Sequence, residues 1–425
     1  MLSVVDALDA ILREAQPLKP VTVELADALG LVTAEDIVSD VDSPPFDKAL
    51  MDGFAVRASD VTAAETRLRI VEHITAGMIP SKPVTAGTAT RIMTGAPLPK
   101  GADCVIKVED TRIELADQSA AGQSVVGGTV VVRGAARPGM HIIRRGTSLK
   151  TGQTVLPAGR LVRPQEVGAL AEVGEERLSV RPRPKVGILA TGDELVPIGV
   201  RPGPGQIRNS NEAMLGAQTR RAGGEPVLLG IARDNPADLR ERIVAGLGCE
   251  ALLLSGGVSE GTHDLVPSVL AELGVRNVFH KVNIRPGKPL WFGVWKGERA
   301  GGDSRPTYVF GLPGNPVSSL VCFEVFVRPC LRRLMGFEPA LRQPLRARLM
   351  EEHVAQGERP TYNPARFGWG DQGPRVELVR WHGSSDLQAM VEANALAIFP
   401  GGEATYERGT LIDVIPFDRS TDGSV

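Results

Sequence analysis

The chain has 425 residues, enough for about two to four domains of ordinary size. Lys+Arg (48) and Asp+Glu (50) nearly cancel to a net charge of −2, and aromatic residues make up only 4%, which excludes a nucleic-acid binder built on a basic surface or on base-stacking platforms. Four scattered cysteines (Cys104, Cys249, Cys322, Cys330) without a Cys-x-x-Cys pair, and six dispersed histidines, argue against a disulfide framework or a zinc site and fit a reducing cytoplasm.

The first stretch, "MLSVVDALDAILREAQ", breaks its apolar residues with Asp6, Asp9, Arg13 and Glu14, while Val5, Leu8, Leu12 and Ala15 recur at helical spacing. It predicts an amphipathic helix rather than a signal peptide. From about Val41 to Arg145, short runs such as "TATRIM", "DCVIKVE" and "GTVVVRG" lie between turn signals and predict a β-rich module. Within it, Asp52 interrupts the apolar run "LMDGFAVR", where a buried strand has little use for a carboxylate and a loop with chemistry to do has one. "GRLVRPQEVGALAEVG" follows as a helix, with Leu161, Val167, Leu170 and Val173 able to share a face.

From Pro182 strands and helices alternate. "KVGILA", "PVLLGIA", "ALLLS" and "TYVFG" are continuous apolar strands. "SNEAMLGAQTRRAGG", with Ser210 as N-cap, "DNPADLRERIVAGLG", with Asn235 as cap and Pro236 in the first turn, and "HDLVPSVLAELG" are helices. The pattern predicts a doubly wound, mostly parallel sheet with helices on both faces. "PVSSLVCFEVFVRPCLRRLMG" carries Glu324 and Arg328 and reads as a core helix, so no membrane span is expected. After Glu338, "LRARLM", "RVELVR", "ALAIFP" and "TLIDVIPF" predict a small β domain, with "EATYERGTLIDVIPF" as a closing hairpin and "DRSTDGSV" as a frayed tail.

Ligands of such sheets bind beyond the carboxyl ends of the strands. There the sequence places Glu194 in "TGDE", Asp234 in "RDNP" and Asp264 in "GTHD". Asp234 and Asp264 can also be read as helix caps, but like charges converging on one rim need a cation, and Mg²⁺ bridging to substrate phosphates suits them. Ser255, Gly256 and Gly257, and the turn Pro313-Gly314-Asn315-Pro316, allow backbone N–H groups to approach a phosphate. Lys281, Arg285 and Lys288 crowd a Pro-Gly turn and can hold anions. A P-loop and a dinucleotide fingerprint are both missing. The residues alone thus describe a cytoplasmic α/β enzyme for an anionic, phosphorylated ligand with a divalent metal.

The stretches "SPPFDKALMDGFAVR", "RIMTGAPLPKGADCVI", "HIIRRGTSLKTGQTVLPAG", "ILATGDEL", "GQIRNSN", "ARDNP", "LLLSGGVSEGTHD", "RPGKPLWFG" and "GLPGNPVSS" resemble, in order, the molybdopterin molybdenumtransferase family (MoeA and the gephyrin E domain). The resemblance implies a homodimer and four domains. These are a helical dimerisation domain (1–40 with 146–178), a β-rich inserted domain (41–145), a molybdopterin-binding α/β domain (179–337) and a C-terminal β-barrel (338–425). It implies insertion of molybdenum from molybdate into adenylylated molybdopterin, with Mg²⁺-dependent release of AMP. It carries Asp52, Thr94, Glu194, Asp234 and Asp264 over as active-site residues, the last three as metal ligands. Lys281, Arg285 and Lys288 would hold molybdate or phosphate, Ser255 to Gly257 and Pro313 to Pro316 would line the cleft, and Ser384 and Arg366 would join from the barrel. The molybdopterin adenylyltransferase and cofactor-accepting enzymes are further candidate partners; nucleic acid and membrane are not. A gephyrin-like scaffold and a tungstate-inserting enzyme are the alternatives. Two departures stand out: Ser148 where the family carries an acidic residue, and Arg285 where lysine is common.

Overall fold

The computed structural model describes residues 1–115, 124–257, 265–298 and 304–417. Asp264, with the "GTHD" segment that carries it, and the tail "DRSTDGSV" lie outside the described residues. The chain forms two compact units: Met1–Glu35 with Ala158–Val167 and Glu176–Val425, and Asp36–Pro157 with Gly168–Glu175.

The larger unit is built on a six-stranded sheet in the order Glu225–Ala232, Lys185–Thr191, Ala251–Ser255, Thr307–Leu312, Trp291–Trp295, Arg276–His280. The first four strands are parallel, as the continuous apolar runs predict. The last two run antiparallel, so the sheet is mixed at one edge. Successive residues feed opposite faces: Ile188 packs with Ile11, Leu215 and Phe326, while Leu189 packs with Leu239, Ile243 and Val269. Each such fully buried aliphatic side chain stabilises by about 1.5–3 kcal/mol relative to exposure. The N-terminal helix, Val4–Glu14, buries Ala7 and Ile11 in this core and is capped by Ser3, whose Oγ accepts from the Asp6 N–H at 3.1 Å.

The expected caps are half right. Asn235 caps Pro236–Leu247 by accepting from the Asp238 N–H. The cap of Ser210–Arg221 is Asn209 rather than Ser210, because the Asn209 side-chain Oδ1 accepts from the Glu212 N–H at 3.2 Å and Ser210 already lies in the helix. Pro316–Cys322 runs through a π segment, Phe323–Val327, into Arg328–Leu334, making one buried rod. Its Glu324 carboxylate is fully buried and joined by Arg328 (2.5 Å), Arg221 (2.6 Å) and Gln218 (2.8 Å). Arg328 also donates to the Phe417 carbonyl at 3.0 Å. A buried charge so fully paired tolerates loss of a partner badly, at about 3–5 kcal/mol.

The C-terminal strands close into a five-stranded barrel, Leu345–Leu349, Gly373–Leu378, Thr361–Gly370, Ala395–Phe399 and Leu411–Pro416, which leaves no open sheet edge. The expected closing hairpin does not form. Ala404–Tyr406 pairs with His353–Ala355, whereas Leu411–Pro416 pairs with Leu345–Leu349 and Ala395–Phe399. The Gly409 N–H bonds the Leu349 carbonyl at 2.7 Å, so the turn delivers the chain to the barrel. Among the described residues no helix is long and apolar enough to cross a membrane.

The smaller unit carries a sheet in the order Cys104–Lys107, Gly53–Val56, Thr88–Ile92, Glu65–Ile74, Thr129–Arg133, Thr111–Glu114, confirming the three expected strands. Phe54 and Val56 face one core and Ala55 the other, so Gly53–Val56 is buried on both sides. A Cβ at Gly53 would sit 1.9 Å from the Ile106 carbonyl, so only glycine lets this strand begin there, directly after Asp52.

Candidate functional site

Within the larger unit, a cleft of about 530 Å³ opens at the carboxyl ends of the parallel strands. Thr191, Gly192 and Glu194 line it after one strand, Asp234 after the next, Ser255, Gly256 and Gly257 after the third, and Pro313 to Pro316 after the fourth. The Glu194 carboxylate folds back over Gly192, and no donor or cation among the described residues pairs with it. Asp234 accepts from the Asp193 N–H at 3.3 Å and its own N–H donates to the Asp193 carboxylate at 3.3 Å. Two hard oxygen donors thus face one cleft, and the arginine in its wall, Arg208, donates to the Val200 carbonyl rather than to either carboxylate; the donor set fits Mg²⁺ shared with phosphate and water. No three His, Cys, Asp or Glu among the described residues form a metal nest by themselves.

Gly256 and Gly257 both have positive φ (99° and 65°), and a Cβ at either would press on Thr191 within 3.0 Å. The sequence expectation that their N–H groups are open to phosphate needs one correction. The Gly256 N–H is spent on the Leu312 carbonyl at 3.1 Å, because that bond closes the turn against the neighbouring strand. Asn315 occupies the cap position before Pro316–Cys322, yet its side chain does not cap; Nδ2 donates to Ser384 Oγ at 2.9 Å.

That bond leads into a second recess of about 760 Å³, lined by Arg285, Lys288, Arg359, His353, His382 and Ser384. The two recesses share Pro289, Pro313 and Asn315. Arg285 is held by its backbone, its N–H donating to the Pro360 carbonyl and its carbonyl accepting from the Tyr362 N–H. Arg359 donates to the Ile284 carbonyl at 3.2 Å. Burial pushes the His353 imidazole below its ordinary pKa, with Glu351 opposing.

Two expected residues of the larger unit line neither recess. Lys281 has φ 74° at a strand end and donates its N–H to the Leu290 carbonyl at 2.8 Å. Arg366 lies on Thr361–Gly370 and pairs with the Glu392 carboxylate. Asp52 and Thr94 belong to the smaller unit, where they form a pair: the Thr94 N–H (2.7 Å) and Oγ1–H (2.6 Å) both donate to Asp52 Oδ1. Those bonds, then the charge of Arg91, hold the Asp52 carboxyl below its usual range, so it is ionised at neutral pH. Ser148 donates its N–H to the Ser43 carbonyl at 2.9 Å.

Sequence reasoning gave no role to Asn211 or Thr191, and did not find Arg359. Asn211 Nδ2 donates to Ser255 Oγ at 2.8 Å and to the Gly314 carbonyl at 2.7 Å. Asn211 Oδ1 and Thr191 Oγ1 are buried without partners at the cleft wall. The available signal was "RNSN", an amide placed in the first turn of a helix that starts at the rim.

Three family models match in order. They are the MoeA N-terminal region (domain I and II) at residues 2–174, a probable molybdopterin binding domain at 187–333, and the MoeA C-terminal region (domain IV) at 346–417. A molybdopterin molybdenumtransferase of Nostoc sp. is 34% identical over 91% of this chain and 86% of its own. The chain belongs to the molybdopterin molybdenumtransferase family. A relative of that name from Staphylococcus epidermidis is 31% identical, covering 97% of this chain and 95% of its own. Among solved structures, two of a molybdopterin biosynthesis MoeA protein from Pyrococcus horikoshii superpose with TM-scores of 0.79 and 0.81 at 30% and 28% identity. They cover 98% of this chain and 99% and 100% of theirs. Family membership accounts for the multidomain arrangement, with an α/β part and a closed barrel.

Proposed function

We propose that this chain is a molybdopterin molybdenumtransferase that moves molybdenum from molybdate into adenylylated molybdopterin, releasing AMP. The observation that carries the reading is the adjacency of two unlike recesses in a family member. One holds unpaired carboxylates and glycine turns, the other holds cations, and the Asn315–Ser384 bond spans them.

In this reading the phosphorylated pterin lies along Ser255 to Gly257 and Pro313 to Pro316. Glu194 and Asp234, with Asp264, hold Mg²⁺, which when bound supplies Lewis-acid polarisation of the phosphoanhydride. Arg285 and Lys288, joined by Arg359, bind the molybdate dianion and neutralise charge as the P–O bond to AMP breaks. Ser384, fixed by Asn315, donates to an oxygen of the same anion. Asp52, kept ionised by Thr94, accepts a proton or orients a water, and it does not serve as an acid at neutral pH. Arg366 keeps an anion-binding role only if it leaves the Glu392 carboxylate, and Lys281 keeps one through its ammonium, which the bond from its backbone N–H does not engage. We further propose a cytoplasmic homodimer with the four domains set out from the sequence. The apolar cores of the inserted part and of the barrel support that division, while the α/β core is shared with Ile11 of the first helix and with Tyr362 and Leu396 of the C-terminal part. The adenylyltransferase that supplies the substrate, and enzymes that take the finished cofactor, are its proposed partners.

The test mixes the purified chain with adenylylated molybdopterin, molybdate and Mg²⁺ and follows AMP release and cofactor activity. AMP release that depends on molybdate and stops on chelation is expected. Release indifferent to molybdate, or none, sinks the reading, and a parallel arm with tungstate decides between the two oxyanions.

A further inference from the structure

We infer that Asn211 is a positioning residue: its amide fixes the Ser255 hydroxyl as a hydrogen-bond donor toward an oxygen of the phosphorylated substrate in the cleft. The inference rests on the proposed reading of that cleft as the substrate site.

Asn211 Nδ2 has two hydrogens, and both are spoken for, by Ser255 Oγ at 2.8 Å and the Gly314 carbonyl at 2.7 Å. The Gly314 carbonyl can only accept, so the amide cannot turn over without setting two acceptors against each other. Ser255 Oγ is therefore an acceptor in this bond, and its own hydrogen is left to donate. Ser255 is 3% exposed and lines the cleft, and among the described residues its hydroxyl donates to nothing. A buried hydroxyl with a committed lone pair and an idle hydrogen facing a cleft is a preset donor for an anion oxygen.

The same amide joins two turns from different strands, since Ser255 ends one and Gly314 follows another, with Gly314 beside Gly256. Asn211 Oδ1 has no partner, so nothing on the oxygen side holds the amide. Its orientation is set by the two N–H bonds alone. Thr191 Oγ1, also unpartnered, lies close beside Gly257 at the same wall. Polar atoms left unsatisfied in this way concentrate where a ligand completes the set.

The experiment is a double-mutant cycle on the whole chain, with Asn211→Ala, Ser255→Ala and both together. The KM for adenylylated molybdopterin and kcat are read from AMP release at saturating molybdate and Mg²⁺. Ser255→Ala should raise KM about tenfold, the usual cost of a lost bond to a charged group. Asn211→Ala should raise it about fivefold when Ser255 is present and less than twofold when it is not. Equal losses in both backgrounds would mean that Asn211 acts only on the Gly314 turn, and would overturn the inference. An unchanged KM in Ser255→Ala would also overturn the inference, whereas absence of AMP release from the unaltered chain would instead remove the cleft reading itself. If Asn211→Ala does not fold, the uncharged and near-isosteric Asn211→Leu takes its place, with the same outcomes deciding.

Discussion

The two recesses of the larger unit are neighbours of opposite character. The cleft at the strand ends has two carboxylates and one arginine, Arg208, in its walls. The recess beside the barrel has Arg285, Lys288 and Arg359, two imidazoles and, among the described residues, no carboxylate. A single continuous pocket with both sets would let them neutralise each other as ion pairs and leave little field for a substrate. Keeping them apart, with Pro289, Pro313 and Asn315 as the shared wall, leaves each charge set to be satisfied by a ligand of opposite sign. The contrast teaches that an acidic recess and a cationic recess can be built side by side on a shared wall.

The largest test of this contrast removes the negative side. Glu194→Gln with Asp234→Asn should lower kcat for AMP release by about 10²-fold or more, while the KM for molybdate moves little. A change in the molybdate KM instead would mean that the recesses do not divide the labour. Next, Lys288→Met should raise the molybdate KM by about ten- to a hundredfold, the range for losing a charge-assisted bond, with kcat at saturating molybdate nearly unchanged. A smaller effect is expected from Asn315→Ala, which removes the bond to Ser384. Rates should fall about three- to tenfold, and the KM for one substrate should cease to depend on the concentration of the other. Retained interdependence would show that the wall does not couple the recesses.

The smallest effect concerns pH. Burial lowers the His353 pKa from its ordinary 6.5, so the unfolded chain takes up the proton more readily than the folded one. The stability that His353 contributes is full above 6.5 and is lost as pH falls through 6.5 toward the lowered folded value. His353→Gln should therefore flatten the fall of Tm between pH 7 and pH 5, and an unchanged slope would remove His353 from the account.

The parallel strands and most helices were legible because burial on both faces forces unbroken apolar runs, as in "ALLLS", and because Asn235-Pro236 is a strong start signal. The rim of the cleft followed from the same logic, since parallel strands end on one side. Choosing Ser210 over Asn209 failed because adjacent polar residues carry the same capping signal and only backbone geometry separates them. The mixed edge of the sheet was missed because "RNVFH" and "WFGVW" flank the Pro-Gly turn that drew attention as an anion site. The cationic recess was half visible. Arg285 and Lys288 are close in sequence, but Arg359 and His353 reach them only when the barrel closes. Lys281 shares the run of cations, yet it turns at a strand end outside both recesses. Asn211 was invisible as chemistry because its role depends on two acceptors, 44 and 103 positions away.

The grip of Arg328 on the Phe417 carbonyl has a practical corollary for anyone altering the chain's last residues. Fusions or tags appended after that phenylalanine leave the clasp untouched. A deletion that takes Phe417 away strips an acceptor from a guanidinium sealed inside the protein, and also the ring beneath Arg221. The penalty of such trimming would be felt far from the cut, in the buried rod that carries Asn315 at its head.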